Sequence, residues 1–169
     1  SIPGWMRPGI AGLLLGTIAI WAPHIIGVGY ETTSLALTGQ ITFWAAIAFV
    51  IVKVAAVAIT LAGRMGGGAF SPALMVGALT GLAFGWVATG LFPTASGAQA
   101  LYALAGMGAV GAAILGAPIS TSLIVFEMTG DWQAGLAVMV AVAVSTTLSS
   151  KFVARSLFLE QLERRGVRL

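Results

Sequence analysis

The part of the sequence best suited to binding a ligand is a glycine-rich segment at residues 63–72. It reads Gly-Arg-Met-Gly-Gly-Gly-Ala-Phe-Ser-Pro and interrupts an otherwise apolar stretch. The proline at its end predicts the first turn of a helix that starts near Phe70. The N–H groups of Ala69, Phe70 and Ser71 would then have no acceptor within the helix. Such amides, together with the positive end of the helix dipole, can bind an anion without any charged side chain. A plain glycine-rich loop between two helices is the alternative interpretation.

The composition indicates which solvent surrounds this segment. Of the 169 residues, 59% are hydrophobic and 8% are charged, whereas an ordinary soluble domain carries roughly 25% charged residues. The mean hydropathy is +1.02, and residues 65–126 contain no Asp, Glu, Lys or Arg. Because about 20 apolar residues cross a bilayer, that run alone could hold two or three passes. The sequence therefore predicts an all-α, multi-pass integral membrane protein.

The same composition excludes several chemistries. There is no cysteine, which excludes disulfides, thiolate metal sites and cysteine nucleophiles. A single histidine, His24, and the absence of an H-E-x-x-H motif argue against a membrane hydrolase or metalloprotease. We therefore expect no catalytic residue, metal site or cofactor, and the protein is not expected to be an enzyme. The net charge of +3 is too small and scattered to indicate nucleic-acid binding. Arginines at 164, 165 and 168 predict a cytoplasmic C-terminus.

Prolines, glycines and the few charges divide the chain into eight predicted helices, at roughly 8–21, 32–37, 41–61, 70–87, 98–115, 119–128, 133–149 and 152–163. The sixth would be about 15 Å long, too short to cross a bilayer. Gly77, Gly81 and Gly85 predict close approach of a second helix. Lys53 should face protein, water or the membrane interface, with a side chain that snorkels to the headgroups as the alternative. Short, broken helices are typical of transporters and channels.

Several motifs carry a resemblance to a known family. Gly68-Ala69-Phe70-Ser71-Pro72 matches the G-x-F-x-P signature of the CLC family of chloride channels and chloride/proton antiporters. Further similarities follow the family's order along nearly the whole chain: Pro23 with Gly27-Val28-Gly29-Tyr30, Lys53 ahead of Ala62-Gly63, Gly106-Met107-Gly108-Ala109, Ala117-Pro118, and Glu127-Met128-Thr129.

The resemblance implies a fold and a site. The fold would be the second of two inverted repeats of broken, tilted helices, so that 1–169 is only part of a membrane domain. The first-half motifs G-S-G-I-P and G-R-E-G-P are absent, which implies a missing N-terminal half of the same protein. The anion would bind at Gly68 to Pro72, on the amides of Ala69 and Phe70. A family tyrosine that supplies a hydroxyl contact aligns with Phe158, which has no hydroxyl. This predicts one hydrogen bond fewer to the anion, unless Phe158 simply packs.

The resemblance also implies a function and partners. The protein would transport chloride or a similar anion across a lipid bilayer, either as a voltage-gated chloride channel or as a chloride/proton antiporter. Family members are homodimers, and the interface here would run from about Ile119 to Ser149, although its small residues suit internal packing equally. Glu127 is expected to have a structural role and not to transfer protons. The alternative function is a structural or assembly subunit of another membrane transporter, with no anion pathway. That alternative explains the glycine spacing but not the break at 66–72.

Overall fold

The structure is a computed structural model, and it describes residue 3 and residues 6–23, 29–65, 68–94 and 96–152. This part of the chain contains seven α-helices and no β-strand, which confirms the predicted all-α class. Three of the helices, at Phe43–Ala62, Phe70–Leu91 and Trp132–Phe152, are long and apolar enough to cross a membrane. The helices are α1 (Arg7–Trp21), α2 (Tyr30–Leu37), α3 (Phe43–Ala62), α4 (Phe70–Leu91), α5 (Gln99–Leu115), α6 (Pro118–Thr129) and α7 (Trp132–Phe152).

Two helices differ from their predicted bounds for reasons of backbone geometry. Helix α2 begins at Tyr30, earlier than the predicted residue 32, because Gly29 takes a left-handed conformation with φ 80° and turns the chain there. Helix α4 continues past the predicted end at 87 to Leu91. It stops before Pro93 because a residue that precedes proline disfavours the helical conformation, and Phe92 accordingly has φ −133° and ψ 68°.

The last two described helices also extend beyond their predicted bounds. Helix α6 has 12 residues, or about 18 Å at 1.5 Å per residue, which is still too short for a bilayer. Helix α7 continues through the predicted break at 150–151 and includes Phe152. The remainder of the helix predicted over 152–163 lies outside the described residues.

Helix α4 is the centre of the fold. Eight of its residues are buried, and three of them, Met75, Leu79 and Leu82, are fully buried large side chains. The other helices contribute Met107 from α5 and Val138 from α7 to the same core. Because α4 is surrounded in this way, its position is set by its neighbours and not by the loop that precedes it.

The closest neighbour of α4 is α5, and the two backbones touch at glycines. A Cβ atom added at Gly77 would stand 2.5 Å from the carbonyl oxygen of Gly106 and 2.8 Å from Cα of Met107. A Cβ at Gly81 would collide with the carbonyl group of Tyr102, and one at Gly85 would stand 2.5 Å from Oε1 of Gln99. The predicted close approach at Gly77, Gly81 and Gly85 is thus confirmed, with α5 as the partner helix.

Helix α3 lies antiparallel to α4 on another side. The indole N–H of Trp86, in the second half of α4, donates a hydrogen bond of 3.2 Å to the carbonyl of Ile41, just before α3. Within α3, the side chain of Lys53 is only 4% exposed and takes part in an interaction inside the protein. Lys53 therefore faces protein, as one of the two interpretations of the sequence required.

The end of α3 contains an unusual backbone conformation. The N–H of Arg64 donates to the carbonyl of Leu61, and the N–H of Met65 donates to that of Thr60, at 3.1 Å each. Between these bonds Arg64 has φ 53°, and among the described residues other than glycine it alone has a positive φ. Helices often end in this left-handed conformation, which glycine adopts most easily. An arginine at this position costs about 1–2 kcal/mol.

Replacing Gly81 by alanine tests the α4–α5 contact. We expect Gly81→Ala to destabilise the protein by about 2–3 kcal/mol, because a backbone group of Tyr102 cannot move aside as a side chain can. Gly90→Ala is the matched control in the same helix, since no atom lies within 4 Å of its Cβ position. It should be neutral or stabilising by up to about 1 kcal/mol. Thermal unfolding of both variants in detergent measures the difference, and equal midpoints would contradict the assigned contact.

Substitutions at Arg64 test the left-handed conformation. Arg64→Gly removes the local strain but increases the freedom of the unfolded chain, so stability should stay level or rise by at most about 1 kcal/mol. Arg64→Val should destabilise by about 1 kcal/mol or more, because a β-branched residue is poorly tolerated at positive φ. Denaturant unfolding of the two variants gives the comparison. A valine variant as stable as the glycine variant would show that φ is not positive here.

Candidate anion-binding site

The candidate site lies at the first turn of α4. Ala69 is the N-cap residue, with φ −82° and ψ −13°, and no side chain caps the helix. The first helical hydrogen bond runs from the N–H of Ala73 to the carbonyl of Ala69, at 3.1 Å. Pro72 has no N–H group to satisfy, so the helix begins without an unpaired donor at that position.

Two backbone amides at this turn lack an acceptor among the described residues. No described residue accepts a hydrogen bond from the N–H of Ala69 or of Phe70. Ser71, the third residue of the predicted set, takes part in another interaction within the protein. Of the three predicted amides, those of Ala69 and Phe70 are therefore the ones without an acceptor among the described residues.

The surroundings of the turn are open on one side and packed on the other. Gly68 is exposed, and no described atom lies within 4 Å of the position that a Cβ would occupy there. Ala69, Phe70, Ser71 and Pro72 are half-buried. Ala73, in the same turn, is buried in the core. Among the described residues, the side of Gly68 is thus open, while the helix behind the amides is packed against the core.

The electrostatics of the turn are set by the backbone. Helix α4 has 22 residues, and its aligned peptide dipoles place roughly +0.5 of an elementary charge at the N-terminus. The charged residue nearest in sequence is the cation Arg64, and the whole segment 32–126 contains no Asp or Glu. The chain around this turn therefore favours a negative ligand.

The structure also brings the start of α2 against α4, which the sequence alone did not indicate. Gly29, the N-cap of α2, packs on the side chain of Met75, and a Cβ at Gly29 would collide with the Met75 sulfur. The local signal was the Gly-Val-Gly-Tyr motif, which predicts a turn but not its partner. Helix α2 thus supports the second turn of α4, directly behind the candidate amides.

The other predicted site features have different outcomes. Gly68 to Pro72 lie together on one continuous segment, whereas Phe158 lies outside the described residues. Within the described ranges, no group of three or more His, Cys, Asp or Glu side chains is placed to hold a metal ion. Among the described residues, the candidate site is therefore a backbone site formed by α4.

Comparison with known proteins adds independent information. The family model described as "Voltage gated chloride channel" matches residues 1–150. A putative chloride channel protein ClcB-like from Ralstonia nicotianae is 34% identical over 164 residues, which is 96% of this chain and 38% of the relative. The H(+)/Cl(−) exchange transporter ClcA of Klebsiella pneumoniae (strain 342) is 30% identical over 97% of this chain and 35% of its own length. ClcA of Cronobacter sakazakii is 31% identical over 94% of this chain and 36% of its own.

These matches cover nearly all of the sequence, but the chain spans little more than a third of the length of the curated relatives it matches. The family assignment agrees with the all-α fold and with three helices that can cross a membrane. It also agrees with the order of the sequence motifs. The chain is a membrane protein that belongs to the voltage-gated chloride channel family.

Proposed function

We propose that this chain forms part of a pathway for chloride across a membrane, and that chloride binds to the N–H groups of Ala69 and Phe70. The observation that carries the proposal is the pair of amides without a described acceptor at the start of α4. Relatives that match nearly the whole chain support it, since their names describe a chloride channel and H(+)/Cl(−) exchangers. Both activities require chloride to enter and leave a site within the membrane.

The chemistry of such a site suits transport. A hydrogen bond to an ion contributes about 1.5–3 kcal/mol, so two amides and a helix dipole give moderate affinity. A buried cation would hold the anion more tightly and slow its release. Conduction needs binding that is strong enough to replace water and weak enough to release the ion. The amides of α4 meet both conditions without placing a charge beside the ion.

Homodimer formation through the segment from Ile119 to Ser149 is also part of the proposal. In this structure Ala134 and Gly135 are buried within the chain, and a Cβ at Gly135 would collide with the ring of Phe126. These two small residues therefore serve internal packing. The apolar side chains that remain outward-facing on α6 and α7 are the ones available to a second subunit, and they include Ile119, Leu123, Leu136, Val140 and Val144.

The amide site can be tested by removing one donor while keeping the helix. Ala69 has φ −82°, which proline can adopt, and proline is accepted before and in the first turn of a helix. We expect Ala69→Pro to weaken chloride binding by about 10- to 100-fold, the equivalent of one lost hydrogen bond to an ion. Ala69→Ser keeps the N–H and is the matched control. Isothermal titration of the full-length protein with chloride measures both.

Two outcomes would count against the proposal in different ways. Equal chloride affinity in a folded Ala69→Pro variant and the serine control would exclude the Ala69 amide as a ligand. No chloride binding or flux in the unsubstituted full-length protein, reconstituted in liposomes, would overturn the transport function. That result would leave the structural or assembly subunit as the better interpretation.

The predicted absence of a hydroxyl ligand gives a second test. If Phe158 occupies the position of the family tyrosine, Phe158→Tyr adds a donor to the anion, and chloride should bind up to about 10-fold more tightly. Chloride flux in competition with nitrate is the measurement, because an added directional donor should also change the selectivity. The control is Phe158→Leu, which keeps an apolar side chain. A tyrosine variant that behaves like the leucine variant would show that Phe158 only packs.

A further inference from the structure

Two arginines that are far apart in the sequence meet at one end of the fold. Gly63, the residue after α3, is buried, and a Cβ there would collide with the side chain of Ala11 and stand 3.5 Å from the carbonyl oxygen of Arg7. The first turn of α1 therefore lies against the last turn of α3. Arg7 begins α1 and Arg64 directly follows Gly63, so the backbones of the two arginines lie close together at this end of the fold.

Neither arginine has an acidic partner that would neutralise its charge among the described residues. Neither Arg7 nor Arg64 forms an ion pair with a residue in the described part of the chain. Arg64 is exposed and Arg7 is half-buried. In the whole segment 54–126, Arg64 is the only charged residue. Two positive charges at one end of the fold, with no acidic partner among the described residues, give this end a positive potential that attracts anions.

The arginines lie at the same end of the fold as the start of α4. Helices α3 and α4 are antiparallel, and the Trp86–Ile41 hydrogen bond joins their other ends. Only five residue steps separate Arg64 from Ala69. The distance between their Cα atoms is therefore at most about 18 Å. This is about two Debye lengths at physiological ionic strength and well within one at 0.01 M.

The opposite end of the same helices has a different character. Trp21 at the end of α1 and Trp44 at the start of α3 are 91% and 77% exposed. Trp86 of α4 lies at this end too and is also exposed. Tryptophans at helix ends are typical of the headgroup region of a membrane. The arginine pair lies at the other end of these helices, away from Trp21, Trp44 and Trp86.

We propose that Arg7 and Arg64 form a cationic entrance that draws chloride towards the amides of Ala69 and Phe70. The inference rests on the proposed function, because it concerns access to that same site. Charges near the mouth of a pathway raise the local concentration of the oppositely charged ion and increase its rate of arrival, and salt screens this effect. The entrance is thus a long-range, salt-sensitive feature, distinct from the short-range hydrogen bonds of the amides.

The test uses substitutions that remove charge and keep the backbone. Asparagine tolerates positive φ, so Arg64→Asn neutralises the side chain without disturbing the end of α3. Arg7→Gln and the double variant remove the remaining charge, and Arg64→Lys is the control that retains it. Initial chloride flux of the full-length protein is measured in liposomes of neutral lipid at about 10 mM chloride. An impermeant salt then raises the ionic strength to about 0.3 M.

At low ionic strength we expect the double variant to pass chloride about two- to fivefold more slowly than the unsubstituted protein, with Arg64→Lys unchanged. At high ionic strength the difference should disappear. Equal flux in all variants at low ionic strength would overturn the entrance and leave the proposed transport function intact. A loss that persists at high ionic strength would also overturn it, because it would indicate a structural role.

A second set of flux measurements determines whether the arginines attract chloride or an anionic lipid headgroup. The same flux series is repeated in liposomes that contain phosphatidylglycerol. If the arginines attract chloride, neutralising them should reduce chloride flux in neutral lipid. The reduction should be smaller in anionic lipid, because the headgroups compete with chloride for the arginines. An effect that appears only with anionic lipid would overturn the proposal and assign the arginine pair to headgroup binding. Absence of any chloride flux in the unsubstituted protein would remove both this inference and the function on which it rests.

Discussion

The contact between the backbones of α4 and α5 is the constraint on which the rest of the structure depends. Lipid chains are as apolar as the helix surfaces, so association of helices in a membrane relies on close packing more than on exclusion of water. Gly77 and Gly81 of α4 and Gly106 of α5 bring main-chain atoms into direct contact. This contact fixes the position of α4 and, through it, the direction of the amides at its first turn. A backbone site has no side chain that could adjust its geometry, so the helix itself must be held accurately.

The small number of charged residues in this protein has a physical explanation. Ionised side chains inside a membrane are expensive, whereas peptide dipoles bring positive potential without a net charge to bury. Helix α4 can therefore offer an anion a favourable place within an apolar layer. Full charges are needed only where the ion still lies in water, and Arg7 and Arg64 supply them at one end of the fold. Lys53 is buried and interacts inside the protein.

Local sequence signals were sufficient to locate the start of a helix where a single residue controls the backbone conformation. Pro72 and Pro118 predicted the starts of α4 and α6, because proline fixes φ and is accepted in a first helical turn. Bounds were less accurate in α4, where the predicted end at 87 lies well before Pro93 and the helix continues to Leu91, and in α7, which continues through the predicted break at 150–151. In both places the residues beyond the predicted end are compatible with a helix, so local signals did not locate the end.

The sequence by itself determined that this is an all-α membrane protein and that its family motifs follow one another in order. It also determined that a helix begins beside Gly68 with backbone N–H groups that have no acceptor within the helix. Composition suffices for the first conclusion and the φ preferences of proline and glycine for the last, whereas the order of the motifs rests on the resemblance to the family. Only the tertiary structure decided that α5 is the partner of the glycine ridge, that Gly29 supports Met75, and that Arg7 lies beside the end of α3. Each of these contacts joins residues far apart in the chain. Their meeting depends on how whole helices cross, and no local backbone preference encodes that geometry.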